Sequence, residues 1–70
     1  MSPYEKTALE LEPVVVREIS RLYAGEARKT QTTYFYRRYD VIGWQARAAL
    51  CVSWLRGLRR IEQQRKAAQR

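Results

Sequence analysis

The seventy residues carry fourteen basic side chains, seven acidic ones and no histidine, a formal net charge of +7. A chain of this length makes one domain, and a fold so small buries only about 60% of its unfolded surface, so it usually needs a disulfide, a metal or a second copy. The single Cys51 excludes an internal disulfide, and without histidine or a cysteine pair neither a metal nor another cofactor is expected, which leaves self-association as the remaining support.

Charge is divided along the chain. Residues 1–26 hold Lys6, Arg17 and Arg21 against five glutamates, a net of −2, while residues 27–70 hold eleven basic side chains against Asp40 and Glu62, a net of +9. A cationic half beside a mildly acidic one points to a polyanion, an anionic membrane or an acidic protein as partner. The N-terminus lacks the basic-then-apolar layout of a secretory signal, and with a free thiol this leads to the expectation of a cytoplasmic protein.

Ser2-Pro3-Tyr4-Glu5 predicts a helix start, with Ser2 as cap, Pro3 at the first position and Glu5 closing a capping box. Tyr4, Ala8 and Leu11 share a face, and Val15, Val16, Ile19, Leu22 and Tyr23 continue it to Gly25. Pro13 predicts a kink or break, giving a kinked arm over residues 3–24.

Residues 25–39 form a basic and aromatic connecting segment. Thr30 to Tyr36 is rich in strand formers, but the chain offers no partner strand, so the expectation is a loop over 25–31 and helix from about Thr32. Residues 13–24 followed by about 28–39 have the outline of a helix-turn-helix, although the spacing from Ser20 to Gly25 is one residue too long.

The longest element is predicted over residues 40–64. Val41, Trp44, Ala48, Cys51, Leu55 and Leu58 follow a 3-4 spacing. Leu50, Trp54 and Ile61 make a second stripe, with Gly43 and Gly57 on that side. A helix apolar on two sides must be covered from two sides. The N-terminal arm can cover one, and a second copy is the simplest cover for the other. Residues 65–70 are expected as a frayed basic tail. The resulting fold class is all-α, a kinked N-terminal helix packed antiparallel on one long C-terminal helix, as a homodimer or a subunit of a hetero-complex.

Catalysis has little to build on. The commonest general acid/base is missing, Cys51 lies in an apolar run, and no Gly-rich phosphate loop is present. The expectation is a non-enzymatic regulator that binds DNA or RNA through Arg28, Lys29, Arg37, Arg38, Arg56, Arg59 and Arg60, residue types that reach phosphates. The alternative is an adaptor or inhibitor that docks on a larger protein through Leu50, Trp54 and Ile61, with arginines as the rim. Arg37 and Arg38 could instead pair with Glu10, Glu12 or Glu18 in the same chain. A membrane is not the expected partner, because the apolar residues of the long helix wrap around it and arginines interrupt them.

Overall fold

A computed structural model describes residues 1–69. The described residues are all-helical, with three helices in the order α1 (Pro3–Leu22), α2 (Gly25–Tyr39) and α3 (Trp44–Ala68). Among these residues no helix is long and apolar enough to cross a membrane.

α1 starts as its sequence dictates. Ser2 is extended, and its hydroxyl accepts from the Glu5 amide at 3.1 Å. Pro13 lies inside one continuous helix instead of splitting it. Pro13 and Leu9 are both exposed, so water can take the carbonyl bond that the missing Pro13 amide leaves open at Leu9. Ala8, Val15 and Ile19 are fully buried. Their spacing of seven and four keeps them on one face.

α1 ends at Leu22, where the Tyr23 amide still reaches the Ile19 carbonyl at 2.9 Å. Gly25 is therefore not the stop. With φ at +57°, it makes the reversal that opens α2, a conformation costing about 1–2 kcal/mol for a residue with a Cβ.

The expected loop over 25–31 is helix from Gly25 onward. Local propensity is weak here, and tertiary burial decides the outcome. A helix brings Phe35, Tyr36 and Tyr39 together, where a strand would turn Tyr36 to the opposite face, and Phe35 and Tyr39 are buried, Phe35 completely. The Phe35 ring meets Tyr36 at 5.2 Å, Tyr39 at 5.4 Å and Trp54 of α3 at 5.6 Å between centroids. Thr32 is accommodated by donating its hydroxyl to the Arg28 carbonyl at 2.8 Å, a habitual escape for threonine in helices.

This extra helix changes the chain's direction. α2 runs back along α1, with Tyr36 beside Glu12 and Pro13 and Thr32 beside Ser20. α3 runs back along α2, with Tyr39 against Arg47 and Phe35 against Trp54. Two reversals leave α1 and α3 parallel, not antiparallel: Val14 lies by Leu55, Arg21 pairs with Glu62, and Arg65 donates to the Leu22 carbonyl. The helix-turn-helix outline also fails. Its two helices cross at about 90–120°, which would not return Tyr36 to Glu12.

α3 begins at Trp44, four residues after the expected start. Val41 falls in the preceding turn and is 79% exposed, so it leaves the seam. The seam itself holds: Ala48, Cys51 and Leu58 are buried and Leu55 packs partly against them. The second stripe of Leu50, Trp54 and Ile61 is half-buried, and α2 covers part of it. The helix continues through Arg65 and Lys66 to Ala68, past the expected fraying point. Arg70 lies outside the described residues.

These placements predict opposite results for two apolar positions. Phe35→Ala should cost about 3–5 kcal/mol, whereas Val41→Ala should stay within about 0.5 kcal/mol of the parent. Urea denaturation of both variants checks the assignment.

Candidate nucleic-acid interface

The arginines separate into those the fold uses and those it leaves available. Arg21 bonds Glu18 through its Nε at 2.9 Å and its Nη2 at 2.6 Å, and also pairs with Glu62 of α3. Both carboxylates raise its already high pKa, and the same contact lowers that of Glu62. The cluster is half exposed, so its main effect is to fix the α1–α3 register, since exposed pairs contribute little stability. Arg47 lies between the rings of Tyr39 and Trp44, 5.0 and 4.9 Å from their centroids, and donates to the Asp40 carbonyl at 3.2 Å. Arg65 covers the Tyr23 ring at 5.0 Å. Arg47 and Arg65 are each held at a helix junction, where stacking on an aromatic face stabilises them.

The seven basic residues singled out from the sequence do not converge on one spot. Arg28 and Lys29 stand beside Ser20, Thr32 and Thr33 at the α1–α2 seam, and Lys29 reaches Glu26 at 3.4 Å. Arg59 lines the α1–α3 seam near Val14 and Glu18. Arg37 and Arg38 stand on α2 beside Tyr34 and Trp54. Arg38 also borders a contiguous opening lined by Gln31, Ser53, Gly57, Leu58 and Ile61. Arg56 and Arg60 are exposed on α3. At about 100° per residue, Arg60 follows Ser53 by nearly two whole turns, so it flanks that opening on the α3 side, with Arg56 further round.

The structure thus brings Arg37, Arg38, Trp54 and Ile61 to a single α2–α3 groove. Residues chosen for two different reasons, nucleic-acid contact and partner docking, meet there. No aspartate or glutamate lines the groove. Glu26, the one acidic residue of α2, is engaged by Lys29, and Glu62, the one of α3, by Arg21. Among the described residues, Arg37 and Arg38 make no ion pair with Glu10, Glu12 or Glu18. Leu50 packs against the core, away from the groove lining.

Sequence reasoning missed Ser53, while Gln31 and Tyr34 belong to the basic and aromatic segment whose residue types reach phosphates and base edges. Tyr34 and Arg38, at i and i+4, share one side of α2.

Behind the groove, burial together with the nearby Glu12 carboxylate pushes the Tyr36 and Tyr39 hydroxyls up to about 12. Burial raises the Cys51 thiol as well, which keeps it protonated and suits packing better than nucleophilic attack.

No protein family matches the chain, and no curated protein and no solved structure matches it.

The tyrosine shifts set an alkaline limit. An unfolded chain loses phenol protons near pH 10, whereas the folded chain holds these two until about 12. Stability from the neutral hydroxyls is complete below pH 10 and is lost as pH rises toward 12. The urea midpoint should therefore be level from pH 8 to 9.5 and fall above 10, and Tyr36→Phe should make the fall shallower.

Proposed function

We propose that this chain is a small, non-enzymatic nucleic-acid-binding protein that contacts its ligand through the basic surface of α2 and α3. The supporting observation is the carboxylate-free α2–α3 groove bordered by Arg37 and Arg38, with Arg60 flanking it on α3 and Arg56 exposed further round that helix. Unpaired arginines without acidic neighbours keep their full field and can take phosphate oxygens in pairs. Arg28 extends the cationic surface across α2, and Arg59 lies at the opposite border of α3.

The adaptor reading has less to stand on. Trp54 is partly engaged by Phe35, and Leu50 packs inward, so the three apolar anchors do not present one continuous open patch. Self-association is affected in the same way. A homodimer would have to form on what α2 leaves open of this stripe, and it would compete with ligand for the groove. Sedimentation equilibrium with and without ligand separates the two uses.

Phosphate contact makes binding steeply salt-dependent. With Arg37, Arg38, Arg56 and Arg60 each meeting one phosphate, log affinity should fall with log salt at a slope of about −3 for a single strand or −4 for a duplex. Changing Arg37 and Arg38 together to Gln should flatten the slope by about 1.4 to 1.8. Fluorescence anisotropy at several salt concentrations is the measurement. Dissociation constants above about 10⁻⁴ M near physiological salt for every nucleic acid tested would reject the proposal.

A further inference from the structure

We infer that the α2–α3 groove takes single-stranded nucleic acid in preference to duplex, with bases stacked on Tyr34 and the open side of Trp54 and phosphates held by Arg37 and Arg38. The inference rests on the nucleic-acid reading above and narrows it.

Four observations carry it. Tyr34 is 51% exposed, although the neighbouring Phe35 is fully buried. Its ring is therefore not needed by the core and stands beside Arg37 and Arg38. Trp54 borders both parts of the groove and is only partly buried, packing against the core with Phe35 at 74° between ring planes. A side chain added at Gly57 would meet nothing within 4 Å, so the floor has open space where a flat base can lie. Gln31 and Ser53 add uncharged donors and acceptors to the lining, which suits base edges.

Shape gives the preference. Packed helices have axes only about 8–10 Å apart, so the groove between them is a furrow of side-chain dimensions, which can take a single base but cannot enclose a duplex. α2 packs on both α1 and α3, which meet each other more extensively than either meets α2. Aromatic platforms flanked by cations are the usual means of holding a single strand, because every base has a π-face.

The test is an anisotropy titration of the full chain with a labelled twelve-nucleotide single strand and a hairpin duplex of the same length, at one salt concentration. The single strand should bind at least about tenfold more tightly. Tyr34→Ala should weaken it by about five- to a hundredfold and leave duplex binding unchanged. Tyr34→Phe should retain most of the affinity, and Gly57→Leu, which fills the floor, should act like Tyr34→Ala. Both positions have room, and circular dichroism verifies that the variants stay helical. Equal affinity for the two ligands, or no effect of Tyr34→Ala, would overturn the groove inference while leaving nucleic-acid binding in place. No binding to either ligand, or equally tight binding to poly-glutamate, would overturn both.

Discussion

The complete burial of Phe35 is the constraint on which the architecture depends. An aromatic ring of this size favours removal from water by about 1.5–3 kcal/mol, and the pocket that receives it exists only between α2, α3 and the first helix's apolar face. Seating it requires residues 25–39 to be helical, because a loop would not bring Tyr39 and Tyr36 to the same cluster. Once that segment is a helix, the chain reverses twice, α3 runs parallel to α1, and Trp54 is turned partly inward by the edge of Phe35. The groove is a consequence of the same event, since its two walls are the flanks of α2 and α3.

What was legible in the sequence was local or strictly periodic. Ser2, Pro3 and Glu5 mark the first helix because capping involves only neighbouring groups. Ala8, Val15 and Ile19, like Ala48, Cys51 and Leu58, show their common face by spacing alone. α2 was not legible because its signal is tertiary. Thr30, Thr32 and Thr33 argue locally for extended chain, and nothing within the segment announces that Phe35 has a receptor on another helix. That one misread element propagated. It reversed the direction expected for α3 relative to α1, and it left Leu50, Trp54 and Ile61 without cover inside the chain. The site was legible as residue types and not as a place. Arg37, Arg38 and Trp54 could each be chosen from sequence, but their meeting depends on the phase of α2.

The arginine-rich composition serves two purposes at different positions. Arg21, Arg47 and Arg65 sit at helix junctions, two of them against aromatic faces, and do structural work in a chain with no disulfide. Arg37, Arg38, Arg56 and Arg60 make no ion pair among the described residues and stand on the side away from most of the glutamates of α1. The net charge therefore overstates what is available to a ligand, and the relevant quantity is the unpaired set along one groove.

The parallel placement of α1 and α3 is the most direct consequence of the account, and spin-label distances measure it. With Cys51→Ala removing the native thiol, labels go on Ser20 with Gln63 in one sample and on Ser20 with Gln45 in another. Gln45 and Gln63 are separated by about 27 Å of helix rise. The account predicts a short Ser20–Gln63 distance, consistent with the Arg21–Glu62 pair, and a Ser20–Gln45 distance longer by about 20 Å or more. The reverse order, with Ser20 nearer Gln45, would contradict the topology and with it the groove.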